Sequence, residues 1–100
     1  VEHNIDISGN IATIALKGRF TFADHQMILD ILANFQDPVI HCTMDISNLE
    51  FIDSAGLGMI ILAKDTITEK NGQFVLRCPQ GQVKKVLDLT KFADILTIKA

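Results

Sequence analysis

The chain reads as a single α/β domain over residues 1–100: a mixed, mostly parallel β-sheet with an N-terminal β-hairpin and helices packed on it. Three observations predict this. Apolar residues make up 48% of the 100 residues, with only 6 Gly and 2 Pro, enough to bury a continuous core and too many for a disordered chain. Segments of two-residue period alternate with segments of helical period. Only the first two strand-like segments are joined by a tight turn; helices separate the later ones, which implies parallel pairing through right-handed crossovers.

Each element has its own signal. Ile5 and Ile7 alternate with Asp6 and Ser8, Gly9-Asn10 supplies a turn, and Ile11 to Lys17 resumes an apolar, β-branched run. Gly18 breaks that pattern. From Asp24 the period becomes helical, with Met27, Ile28, Ile31, Leu32 and Phe35 on one stripe and Asp37-Pro38 as the stop. Val39 to Ile46 is apolar on both alternating sets, as expected of a strand buried on both faces, and Ser47 to Phe51 reads as a connection. Asp53 and Ser54 are both good N-caps for a helix reaching about Lys70, where Asn71-Gly72 ends it. Phe74 to Arg77 is the next strand, Gln80 to Leu87 a third helix with Val83, Val86 and Leu87 at helical spacing, and Ile95 to Ile98 a short last strand.

Several function classes are excluded or disfavoured at this level. Nine Lys and Arg against twelve Asp and Glu give a formal charge of −3, and Trp and Tyr are absent. Neither a basic face nor an aromatic stacking platform for nucleic acid is visible. The uncharged run Ser54 to Ala63, bounded by Asp53 and Lys64, falls well short of the roughly twenty apolar residues a membrane span needs. No charged-then-apolar leader opens the chain, and its first residue, Val1, suggests removal of an initiator Met, so a cytoplasmic, monomeric protein is expected. Cys42 and Cys78 lie in separate apolar runs and read as two buried, inert thiols. His3, His25 and His41 show no ligand-like spacing, so neither metal nor cofactor is expected.

Chemistry concentrates between Asp45 and Gly58. A strand leads into a polar loop, Asp53-Ser54 opens a helix, and two glycines follow in its first turns. A glycine inside a helix costs about 1 kcal/mol relative to alanine, so Gly56 and Gly58 need a reason. One is close packing of the helix on the sheet; the other is access, leaving room for a second protein at the helix start and at the Ser54 hydroxyl. Ser54 is equally ambiguous. It can be an ordinary cap, or an exposed hydroxyl if Asp53 caps instead. Nucleophilic catalysis is poorly served, because Asp-Ser-Ala-Gly lacks a nucleophile elbow and no His is placed as a base; phosphate cradling lacks a Lys in the turn. At 100° per residue Gly56, Ile60, Ala63 and Ile67 form the sheet-facing stripe, while Gly58, Ile61 and Leu62 lie nearer the opposite side.

The string Asp45-x-Ser47-x-Leu49-x-x-x-Asp53-Ser54-Ala55-Gly56-Leu57-Gly58, with Gly18-Arg19-Phe20 before the first helix, resembles the signature of the STAS domain. That domain is shared by bacterial anti-sigma factor antagonists and the cytoplasmic tails of sulfate transporters. Thr21 stands where members often carry Asp. The resemblance implies the STAS fold and, by analogy with the antagonists, a non-enzymatic binding module. It also implies phosphorylation of Ser54 by an anti-sigma factor that is a serine kinase, and dephosphorylation by a PP2C-type phosphatase. The docking face is then expected at Asp53, Ser54, Ala55, Gly56, Leu57, Gly58 and Ile61, with Phe22 and His25 at the first helix as the neighbouring candidates. The alternatives are an accessory STAS subunit of a transporter, for example in lipid transport, and a small enzyme or nucleotide binder.

Overall fold

The alternation at the N-terminus produces the expected hairpin. Strand β1 (Glu2–Ser8) pairs antiparallel with β2 (Ile11–Phe20), in unbroken register from Glu2↔Lys17 to Ser8↔Ile11, around Gly9 at φ 61°. The computed structural model describes residues 1–35 and 41–99. Strands β3 (His41–Ile52), β4 (Gln73–Arg77) and β5 (Thr97–Lys99) continue the sheet in parallel, in the spatial order β1-β2-β3-β4-β5. Helices α1 (His25–Ala33), α2 (Ser54–Thr68) and α3 (Gly81–Thr90) form the crossovers, so the fold class is the expected one.

Register decides which side chains meet the helices. Ala12, Cys42 and Phe74 lie in one row across β2, β3 and β4, and Ile14, Met44 and Leu76 in the next; none is more than 4% exposed. They share a core with Ile28, Ile31 and Leu32 of α1, Ile60, Ala63 and Ile67 of α2, and Val83 and Leu87 of α3. The alternate rows, such as Thr13, Thr43 and Thr97, or Ala15, Asp45, Arg77 and Lys99, point to the other face and, Val75 apart, are small or polar and half-buried or exposed. The burial expected on both faces of the third strand is therefore corrected. From His41 to Ile46, the described part of that segment, burial alternates, as a sheet with one solvated face requires.

Two further expectations change. Gly18 does not end β2, which runs to Phe20 with Gly18 at φ 96°; and Ser47 to Phe51 is no connection but the second half of β3. The reason lies in the pairing. Ala15↔Asp45 is followed by Lys17↔Asn48, and Gly18↔Leu49 by Arg19↔Phe51, so β3 twice carries one residue more than β2. Each bulge flips the in-out parity, which keeps Ile46, Leu49 and Ile52 all in the core although they are three apart. That spacing hides a strand from any two-residue pattern.

The remaining boundaries shift by a few residues. Helix α2 stops at Thr68, with Asn71 at φ 64° and the Gly72 N–H returning to the Ile67 carbonyl. Helix α3 runs to Thr90 and closes on Lys91 at φ 57°, and the last strand is confined to Thr97–Lys99. Cys42 is buried, and desolvation pushes its thiol up to about 11; Cys78 is only half-buried, a correction to the expectation of two buried thiols. The Asp37-Pro38 stop and the strand start at Val39 lie outside the described residues. Among the described residues no helix is long and apolar enough to cross a membrane.

Candidate functional site

The two bulges bring the ends of β2 and β3 level, at Phe20↔Ile52, and α2 begins immediately beyond. Its first residues are fixed by Asp53. One carboxylate oxygen accepts the Gly56 N–H at 2.7 Å, capping the helix, and the other accepts the Phe22 N–H at 3.2 Å. The Asp53 N–H itself donates to the Phe20 carbonyl at 3.3 Å. A single carboxylate thus ties the start of α2 to the 3-10 turn Phe22–Asp24 that leads into α1. That turn is closed locally: Asp24 accepts the Thr21 N–H at 2.9 Å, and the Thr21 hydroxyl accepts the Ala23 N–H at 3.4 Å. Thr21 performs the capping that a short polar side chain at this place can provide.

With Asp53 as the cap, Ser54 is released from that duty. It is the first residue of α2, exposed, and its hydroxyl makes no hydrogen bond among the described residues. The ambiguity between the two capping residues resolves in favour of Asp53. The glycines also separate. A Cβ on Gly56 would stand 2.6 Å from the Phe20 carbonyl oxygen and 2.7 Å from Ile52 Cγ1, so Gly56 is there for helix–sheet packing. A Cβ on Gly58 would meet nothing within 4 Å, and Gly58 is exposed. Packing explains the first glycine and not the second.

The other candidates divide the same way. Leu57, 6% exposed, belongs to the core cluster, and Gly56 is buried beside it. Ala55 and Ile61 are half-buried. Phe22, 75% exposed, is brought to Ser54 by the Asp53 bond, and His25 is exposed at the first residue of α1. Ser54, Gly58 and Ile61 fall on one side of α2 by helical spacing, and the Asp53 bond ties the backbone of exposed Phe22 to the start of that helix.

Asp45, also in the motif, is elsewhere. It sits mid-strand, on the order of 20 Å along β3 from the helix start. Its carboxylate accepts the Ser47 N–H at 2.9 Å, at the bulge where β3 carries its first extra residue. Hydrogen bonding from Ser47 outweighs the opposing desolvation and, with a smaller pull from the positive charge of Arg77, holds the Asp45 carboxyl below the usual carboxylate range. Its role is to satisfy a bulge.

Sequence reasoning missed Gln82. From the first turn of α3 its amide reaches the free edge of β3, beyond the end of β4: Ile52 N–H donates to Gln82 Oε1 at 3.1 Å, and Gln82 Nε2 donates to the Ile52 carbonyl at 3.2 Å. The side chain stands in for a neighbouring strand and holds the residue that precedes Asp53. Nothing local marks a glutamine near a helix start for this work.

The chain is 30% identical over 90 residues to a STAS-domain containing protein of Pseudomonas aeruginosa, covering 90% of this chain and 89% of that one. In fold it is similar to a candidate anti-sigma factor antagonist of Thermotoga maritima (TM-score 0.87, 23% identity, 98% and 86% of the two chains). It is also similar to the anti-sigma factor antagonist SpoIIAA of Bacillus in its unphosphorylated form (TM-score 0.76, 19% identity, 97% and 86%), a protein whose phosphorylated form is also solved. A sulfate transporter family protein of Wolinella succinogenes shares the fold as well (TM-score 0.80, 11% identity, 94% and 80%). The STAS domain model matches residues 2–100, and with the motif, the five-stranded mixed sheet and the Pseudomonas relative in agreement, the chain belongs to the STAS domain family.

Proposed function

We propose that this protein is an anti-sigma factor antagonist, a binding module switched by phosphorylation of Ser54 in the cytoplasm. Unphosphorylated, it docks an anti-sigma factor that is also its serine kinase; a PP2C-type phosphatase restores it. The observation that carries this reading is the division of labour at the helix start. Asp53 caps, so the neighbouring Ser54 is exposed and its hydroxyl makes no hydrogen bond among the described residues, near the turn that carries exposed Phe22 and one helical turn from a glycine with open space around it. The transporter reading rests on a shared fold alone.

The electrostatics favour a switch at the interface. A phosphoserine adds about −1.5 to −2 charge. At the first residue of α2 it meets the positive end of the helix dipole, favourable by about 0.3–1 kcal/mol, while adjacent Asp53 opposes it by a similar amount. Asp45 is too far along β3 to add to this through a Debye length of about 8–10 Å. The fold should hardly notice the phosphate. A docked partner, which would have to desolvate a double charge against a close-fitting surface, should. A loss of about 3 kcal/mol in binding changes affinity roughly a hundredfold.

The test is to incubate the protein with a cognate kinase and ATP, map the phosphate by mass spectrometry, and measure melting and partner affinity of both forms. Phosphate at Ser54, an unchanged melting temperature and a large loss of affinity are expected, with Ser54→Ala blocking uptake. Modification at Thr21 or Ser47, or a phosphorylated form that unfolds while keeping its affinity, would overturn the reading.

A further inference from the structure

The two edges of the sheet are built differently. On one side β5 is three residues long and carries Lys99, the short, basic edge by which proteins avoid pairing with their neighbours. On the other, β1 is seven residues long, pairs with β2 without a bulge, and contains neither Lys nor Pro. Beside it runs a groove of about 460 Å³ between β1 and α1, lined on the apolar side by Ile5, Ile7, Met27, Ile31 and Phe35. Ile7 is 52% exposed there. The apolar floor of the groove stops at a strand edge with no partner strand among the described residues.

The sequence of this edge, Glu2-His3-Asn4-Ile5-Asp6-Ile7-Ser8, is complementary to itself in the register that pairs its whole length. Two copies pairing antiparallel must match odd residues with odd ones, so that side chains of one face stay on that face. Centring the pair on Asn4 sets Glu2 against Asp6 of the other copy, and centring it on Asp6 sets Asp6 against Asp6; like charges directly opposite are destabilising. Centring on Ile5 avoids both. Ile5 then faces Ile5 and His3 faces Ile7 on the groove side, while Asn4 faces Asp6 and Glu2 faces Ser8 on the other.

We propose that two copies of this chain associate through β1 in that register, making a continuous ten-stranded sheet about a two-fold axis, with the Ile5 and Ile7 side chains of both copies covering the ends of the two grooves. This departs from the monomer expected from sequence and is independent of the Ser54 reading.

Asn4 tests both the interface and its register, because it is exposed and its replacement leaves the core untouched. In this register Asn4→Lys sets two Lys–Asp6 pairs across the axis, and Asn4→Asp sets two Asp–Asp6 pairs. Sedimentation velocity of the full chain, from micromolar to about 1 mM, should show a reversible monomer–dimer equilibrium. Asn4→Lys should lower the dissociation constant by about two- to thirty-fold and Asn4→Asp raise it by a similar factor. Amide exchange in β1 should slow as concentration rises. A chain that stays monomeric throughout, a dimer indifferent to both substitutions, or one weakened by both (the result of centring on Asn4) would overturn the proposal. So would exchange protection that appears only when another protein or peptide is added.

Discussion

Gly56 and Gly58 are two residues apart in one helix, yet alanine should act on them with opposite sign. At Gly58 the added methyl meets nothing within 4 Å, so what remains is helix propensity, a gain of about 1 kcal/mol. For a domain of this size that raises the melting temperature by roughly 4–8 °C. At Gly56 the same methyl would stand 2.6 Å from the Phe20 carbonyl oxygen and 2.7 Å from Ile52 Cγ1. Neither neighbour yields easily. The carbonyl accepts the Asp53 N–H, and Ile52 is 1% exposed with its backbone held on both sides by Gln82. Overpacking of this kind typically costs about 1–3 kcal/mol against a propensity gain of about 1 kcal/mol, which leaves a net loss of up to about 2 kcal/mol. Urea unfolding followed by circular dichroism, with the denaturant slope shared by all three proteins, gives both numbers directly. Two alanines that shift stability the same way would refute the assignment of Gly56 to packing and Gly58 to open space. If Gly58 is vacant for a partner's sake, Gly58→Ala should also weaken anti-sigma factor binding while the free protein becomes more stable. Gly58→Arg should abolish binding and leave the far-UV spectrum unchanged.

Three other outcomes are expected. The Asp45 carboxyl titrates below its unfolded value because the folded state stabilises the anion, so its contribution is complete above the unfolded value, near pH 4, and disappears as pH falls through the folded one; in urea unfolding across this acid range, Asp45→Asn should flatten that part of the stability loss, and an unaltered profile would place the acid sensitivity elsewhere. A thiol reagent at pH 8 should label half-buried Cys78 and spare Cys42, whose thiol is buried and pushed up to about 11; equal labelling of both in the folded protein would contradict this. Gln82→Leu should cost about 1–3 kcal/mol in denaturant unfolding, by stranding the N–H and carbonyl of Ile52, and a change within about 0.5 kcal/mol would show that water replaces the amide without penalty.

By itself the sequence determined the elements whose causes are local. The hairpin follows from alternation around Gly9-Asn10, the stripe of α1 from its 3.6-residue period, and the start of α2 from an acidic cap beside a serine; the order of these elements already limits the chain to a parallel sheet with crossovers. The motif between Asp45 and Gly58 pointed to the right family. What it left open were matters settled by atoms distant along the chain. Asp53 rather than Ser54 caps because a carboxylate has two oxygens and can hold Phe22, thirty-one residues away, as well as Gly56. Gly56 and Gly58 look alike until the Phe20 carbonyl is placed against one of them. The second half of β3 carries no alternation because two bulges, defined only by pairing with β2, shift its parity twice. Gln82 acts through a strand edge that exists only because β4 ends at Arg77. Local periodicity selects elements, since each residue's preference is felt within a turn or two of chain; register, close approach and the sharing of a hydrogen-bonding group between segments belong to the packed sheet, and those decide which side chains of the motif are buried and which stay exposed.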